Sequence, residues 1–116
     1  FLSVHLVLSD RTRGLIGEKV IRALGPDGTL VNVSRGSVVD EAALIRALRD
    51  GGLGAAALDV FRNEPHPNAA LTSLPNVTLL PHMGSATIET RAAMAQIVVD
   101  NLIAHFSGGA LRSAVL

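Results

Sequence analysis

The chain has no cysteine, no tryptophan and no tyrosine, and contains only three phenylalanines. Without cysteine there are no disulfides, no thiolate metal ligands and no cysteine nucleophile, which fits a reducing compartment. Excess charge of either sign is missing too, because ten Lys and Arg balance ten Asp and Glu. A neutral chain offers no basic groove for nucleic acid and no polybasic face for an anionic membrane. Any charge that does chemistry must therefore act locally. No apolar run approaches the roughly 18 residues a spanning helix needs, although 48% of the residues are hydrophobic. That share predicts a packed core rather than disorder, and 116 residues suit one domain. The first residues, Phe1-Leu2-Ser3-Val4-His5, lack the basic start and apolar stretch of a signal peptide. They begin inside what reads as a strand, so a piece of a longer, cytoplasmic protein is expected.

What is present is an alternation of strand and helix patterns. Residues 1–8 read as a buried strand or its exit, and residues 9–14 as polar loop. Residues 17–24 form a short helix, stopped by Gly25-Pro26-Asp27-Gly28. Residues 29–34 are apolar and β-branched, a strand. Residues 40–50 predict a helix capped by Asp40, with Leu44, Ala47 and Leu48 on one face and Gly51-Gly52 as its stop. A strand follows over 54–60, then a Pro- and Asn-rich loop over 62–76, and a fourth strand over 77–80. The last helix, 86–106, is capped by Ser85 or Thr87. Its apolar stripe of Ile88, Ala92, Ala95, Val99, Leu102 and Phe106 reads as core or interface. Strands alternating with helices predict a parallel sheet in an α/β layer fold, and near-continuous apolar strands predict burial on both faces.

Ligands of such sheets bind just past the carboxyl ends of the strands. Those exits carry His5, then Arg35-Gly36, then Asp59 with Glu64 five residues on, then Pro81-His82-Met83-Gly84. A cation that grips carboxylates with two bonds, a titrating imidazole and an acid at one sheet edge would make a proton-transfer site. Each residue also has a plainer reading. Arg35 suits a solvated surface, Asp59 a loop cap, Glu64 an ordinary loop charge and His82 a structural histidine. Their common position, at the same end of consecutive strands, favours function. His66 and His105 have no such position and read as surface residues; His5 is ambiguous. No metal site is expected. Gly52-Leu53-Gly54-Ala55-Ala56-Ala57 matches the loose G-x-G-x-x-A dinucleotide pattern, but that pattern must follow a strand and open a helix. Here it follows a helix and opens a strand, so it is rejected.

Three blocks resemble signatures of the D-isomer-specific 2-hydroxyacid dehydrogenases: Val31-Asn32-Val33-Ser34-Arg35-Gly36-Ser37-Val38-Val39-Asp40-Glu41, Ala57-Leu58-Asp59-Val60-Phe61 with Glu64-Pro65, and Leu80-Pro81-His82-Met83-Gly84-Ser85-Ala86-Thr87. They stand in that family's order and spacing. Gly84-Ser85-Ala86-Thr87-Ile88-Glu89-Thr90-Arg91 looks most like the glyoxylate, hydroxypyruvate and 2-ketogluconate reductase branch. The resemblance implies the second half of a doubly wound, Rossmann-type parallel sheet. Residues 1–107 would be the C-terminal half of the NAD(P)-binding domain, and 108–116 a tail leading toward a substrate domain. The glycine-rich phosphate loop and the residue that selects the adenosine ribose would lie upstream. One departure is visible: the family often has H-x-P-L-T where this chain has His5-Leu6-Val7-Leu8-Ser9.

By the same resemblance Arg35, Glu64 and His82 are the catalytic residues. Arg35 would hold the substrate carboxylate and polarise the keto group, His82 would exchange the proton with the carbonyl oxygen, and Glu64 would pair with His82. A neighbouring anion favours the imidazolium form of histidine, which keeps an acid available. Leu6, Val33, Ser34, Arg35, Asp59, His82, Gly84 and Ser85 would contact the cofactor, Asp59 on the nicotinamide side. The cofactor would be NAD or NADP, with the branch tipping the choice to NADP. The implied activity is hydride transfer between NAD(P)H and a small 2-keto acid, giving the D-2-hydroxy acid, in a homodimer of the full-length protein. A nucleotide-sensing binding module of the same fold, without turnover, is the alternative. The related formate dehydrogenases carry glutamine where Glu64 stands, which argues against them.

Overall fold

The computed structural model describes residues 1–114. Four parallel strands, β1 (Leu2–Val4), β2 (Thr29–Asn32), β3 (Ala55–Leu58) and β4 (Val77–Leu79), form one sheet in the order β1-β2-β3-β4. Leu2 pairs with Leu30, Thr29 with Ala55 and Ala56 with Val77. The connecting helices are α1 (Glu18–Leu24), α2 (Glu41–Arg49) and α3 (Ala69–Thr72). The α/β parallel sheet expected from the alternating pattern is present.

Strand order that follows chain order has a consequence for the layers. Right-handed crossovers between successive neighbours carry every connecting helix to the same face. Leu30, Asn32, Ala56 and Leu58 are buried, and they alternate along β2 and β3 with the half-buried Thr29, Val31, Ala55 and Ala57. Burial is therefore one-sided within this chain, not two-sided as the apolar strands predicted. Their small and β-branched residues suit either environment, so composition alone does not reveal which face is covered. The core on the covered face joins Ile21 of α1 and Leu44 and Leu48 of α2 to Leu30, Leu58, Leu53 and Leu71. Each fully buried Leu or Ile contributes about 1.5–3 kcal/mol relative to exposure.

Several expected boundaries move. Of residues 1–8, read as a buried strand or its exit, the strand is Leu2–Val4, and it ends where its partner β2 ends, at Asn32. Beyond it the Thr12 hydroxyl donates to the Val7 carbonyl at 2.7 Å and closes a loop. The second strand was expected over 29–34; Ser34 leaves it because its N–H donates to the Asn32 side chain instead of the sheet. The third, expected over 54–60, is Ala55–Leu58. Helix α2 is as expected, with the Asp40 side chain accepting from the Ala43 N–H at 3.0 Å. The loop expected over 62–76 contains α3, whose cap is Asn68, accepting from Ala70 N–H. The rejected glycine pattern does run from helix to strand. A Cβ on Gly54 would sit 2.4 Å from the Pro26 carbonyl oxygen, so Gly54 serves close packing of two chain segments.

The contacts divide the chain into Phe1–Met83, which holds the sheet and its three helices, and a second unit beginning at Gly84. The second unit is α4 (Ile88–Phe106), capped by the Thr87 side chain, and the segment after it. No residue of α4 is buried. Ile88, Val99, Leu102 and Phe106 of the expected stripe are exposed, so the stripe is not core of this chain. Of the tail read as 108–116, residues 115 and 116 lie outside the described residues. Before them the tail turns back on α4: Arg112 N–H donates to Asn101 Oδ1 at 2.9 Å and the Arg112 guanidinium meets Asp100 at 2.8 Å. Among the described residues no helix is long and apolar enough to cross a membrane.

Candidate active site

Two groups of residues gather at the carboxyl ends of the strands in the first unit. The exits of β1 and β2 enclose a cleft of about 460 Å³ lined by His5, Leu6, Val7, Leu8, Val33, Ser34 and Arg35. The expected cofactor residues Leu6, Val33, Ser34 and Arg35 thus share one cleft. Its walls are apolar at Leu6, Val7 and Val33, and polar at Ser34 and Arg35. That mixture fits a ligand with flat rings and anionic groups, as a nicotinamide dinucleotide has. His5, ambiguous in the sequence, lines the same cleft, and its Nε2 lies 2.8 Å from the Ser3 hydroxyl. His66 and His105 are exposed and lie outside it.

The second group joins the exits of β3 and β4. His82 Nδ1 lies 2.7 Å from Glu64 Oε2, and the Phe61 N–H donates to Glu64 Oε1 at 3.1 Å. Each carboxylate oxygen therefore has its own partner, one fixing the glutamate to the β3 exit and the other orienting the imidazole. With Nδ1 engaged, Nε2 is the ring nitrogen left to face a substrate. The side chains of His82 and Glu64 are 44% and 32% exposed, so the pair is open to an incoming molecule. Asp59 is buried, and its Oδ1 accepts from the Met83 N–H at 2.7 Å. His82 has φ +56°, in the left-handed region that costs a non-glycine residue about 1–2 kcal/mol. Asp59 on the following N–H and Glu64 on the ring hold it there. Ser85, in the second unit, also has positive φ, +63°.

Gly36 links the two groups. A Cβ at this position would lie 2.2 Å from the Phe61 carbonyl carbon and 2.4 Å from its oxygen. The turn after Arg35 therefore rests directly on the main chain whose N–H holds Glu64. Residue patterns did not point to this contact, because the partners are distant in sequence. The only local sign is a glycine straight after a strand exit.

Residues 1–84 match the family described as D-isomer specific 2-hydroxyacid dehydrogenase, NAD binding domain. The chain belongs to this family. Among similar proteins, glyoxylate/hydroxypyruvate reductase A of Arabidopsis thaliana is 53% identical over 115 residues, covering 99% of this chain and 37% of that protein. The 2-ketogluconate reductase of Gluconobacter oxydans is 52% identical over 106 residues, covering 91% of this chain and 34% of that protein. Among solved structures, the NADPH-dependent glyoxylate/hydroxypyruvate reductase of Sinorhizobium meliloti, in complex with NADP and malonate, superposes with a TM-score of 0.90 at 49% identity. It covers 97% of this chain and 36% of that one. The chain thus spans about a third of the length of these relatives, and its sheet is the expected Rossmann-type fold.

Proposed function

We propose that this chain is the proton-transfer half of an NAD(P)-dependent reductase of small 2-keto acids of the glyoxylate, hydroxypyruvate or 2-ketogluconate type. The observation that carries the proposal is the Glu64–His82 pair, anchored through Phe61 at the strand exits. Bound nicotinamide supplies the hydride when the keto acid is reduced. His82 holds a proton at Nε2 and delivers it to the carbonyl oxygen, and in oxidation takes it back. Glu64 keeps the imidazole turned, with Nδ1 engaged and Nε2 free for the substrate. Arg35 grips the substrate carboxylate and draws electron density from the keto group. Leu6, Val33, Ser34 and Arg35 are assigned to the cofactor from the cleft they line. Asp59, His82, Gly84 and Ser85 are assigned to it by their place in the family blocks. NADP is favoured by likeness to the NADPH-dependent Sinorhizobium enzyme. The exposed apolar residues of α4 support an interface, as a homodimer would supply, and the absence of cysteine supports a cytoplasmic setting.

The direct test is reduction of glyoxylate and hydroxypyruvate by the complete enzyme with NADPH and with NADH. Absence of turnover with either cofactor would favour a nucleotide-sensing module instead. Arg35→Lys is expected to raise KM for the keto acid and to lower kcat/KM by roughly 10- to 100-fold. An ammonium cannot reproduce the two parallel, charge-assisted bonds of a guanidinium to a carboxylate. Unchanged kinetics with both substrates would remove Arg35 from the site.

Glu64→Gln separates the two jobs of the carboxylate. An amide has one acceptor oxygen, while Phe61 N–H and His82 Nδ1–H both need one. With the oxygen on Phe61, the amide NH₂ faces the Nδ1–H donor, so the imidazole loses its acceptor and its fixed orientation. The expected result is a fall in kcat for reduction of about 10–10²-fold, part of the usual worth of a general acid, with cofactor Kd unchanged. Wild-type kcat in this variant would show that the pair is not needed for turnover.

A further inference from the structure

Asn32 is the last residue of β2, and it faces the covered side of the sheet with 1% of its surface exposed. An amide buried among leucines is costly unless its polar atoms are paired. Here they are paired, and all three partner atoms lie within the next three residues. Oδ1 accepts from the Ser34 N–H and from the Ser34 hydroxyl, both at 3.0 Å, and Nδ2 donates to the Arg35 carbonyl at 3.1 Å. The Arg35 guanidinium in turn donates to the Ser34 carbonyl at 2.7 Å. The bonds close a circuit: Asn32 to the Arg35 main chain, the Arg35 side chain to Ser34, and Ser34 back to Asn32. A valine or leucine at 32 would fill the same core position but would leave the chain free to continue as a strand. The amide instead stops β2, turns Ser34 inward and leaves Arg35 at the rim of the cleft.

We propose that Asn32 is a positioning residue for Arg35, setting both the main chain that carries the guanidinium and the carbonyl against which it rests. The proposal rests on the reading of Arg35 as the grip for the substrate carboxylate. Asn32→Asp isolates the decisive bond. The carboxylate keeps an acceptor for Ser34, but sets an oxygen against the Arg35 carbonyl where the amide donated.

The experiment is a double-mutant cycle in the complete enzyme with Asn32→Asp and Arg35→Ala. Steady-state kinetics with glyoxylate are combined with Kd for NADPH by fluorescence. In the parent, Asn32→Asp should lower kcat/KM by roughly 5- to 50-fold, mainly through KM, the range expected for a broken buried hydrogen bond. In the Arg35→Ala background the same change should have almost no further effect, because the group it positions is gone. Kd for NADPH is read in both backgrounds, and any change that Asn32→Asp makes to it in the parent should likewise vanish with Arg35→Ala. Equal losses in the two backgrounds, or no loss in the parent, would overturn the proposal. An Arg35→Ala variant with parent kinetics would overturn the underlying reading of Arg35 instead. If Asn32→Asp does not fold, Ser34→Ala takes its place. It removes one of the bonds to Asn32 Oδ1, and should show a smaller loss that also vanishes with Arg35→Ala. A Ser34→Ala loss that persists in that background, or none in the parent, counts against the proposal.

Discussion

His82→Ala is expected to cut kcat of the complete enzyme by about 10²–10⁴-fold, the worth of a positioned general acid. Stability should change little. The imidazole is 44% exposed and belongs to no core cluster, so no cavity forms when it is removed. Alanine at φ +56° meets the same backbone cost as histidine, so that cost cancels between the two proteins. The signature is therefore a large loss of turnover with little change in Tm and a much smaller change in cofactor affinity. Steady-state assays, thermal unfolding and fluorescence titration of NADPH read the three quantities separately. Turnover within a few-fold of the parent would take His82 out of the mechanism.

Gly36→Ala should damage both activity and stability. The added methyl would stand 2.2 Å, 2.4 Å and 2.6 Å from three main-chain atoms of Phe61, and none of them can rotate away as a side-chain tip can. Either the Arg35 turn or the β3 exit has to move. Overpacking of this kind costs about 1–3 kcal/mol, visible as a lower denaturation midpoint. The catalytic loss should be larger than that stability loss suggests. Displacing Phe61 shifts the N–H that fixes Glu64, and with it the orientation of His82; a misplacement near 1 Å costs about 10²-fold. An alanine variant with parent-like midpoint and kcat/KM would show that the contact is soft and that the two groups are not coupled through it.

The sequence carried local information well. The Asp40 cap, the face of α2 bearing Leu44 and Leu48, and the Thr87 cap each depend on neighbours within four residues, and each is present. The four strand exits were also legible, because apolar runs end where the chain meets polar loop. Arg35, Asp59, Glu64 and His82 could be placed on those exits before any geometry was known. What the sequence did not disclose depends on partners far along the chain. Gly36 matters because of Phe61, and Asp59 grips the loop beyond His82 through a main-chain N–H. Asn32 sat inside a β-branched run, and its role turns on a side chain bending back to the backbone, which no periodicity reports. The exposure of Ile88 and Phe106 and the half-open second face of the sheet have a different cause. An apolar pattern says that a surface should be covered, but not which part of a protein covers it.

A sheet whose strands lie side by side in the order of synthesis can assemble in that same order. Each strand pairs with the one made just before it, so none waits for a distant partner. The hydrogen bonds of the asparagine circuit lie wholly within residues 32–35, although Gly36 beside them later packs on Phe61. The glutamate comes next, anchored to the main chain three residues before it. The histidine arrives only after β4 has joined β3, when Asp59 and Glu64 are already in place to receive it. A ribosome-bound chain released before β4 would thus carry the Asn32–Arg35 circuit without the Glu64–His82 pair. The Glu64–His82 pair forms only when β4 docks.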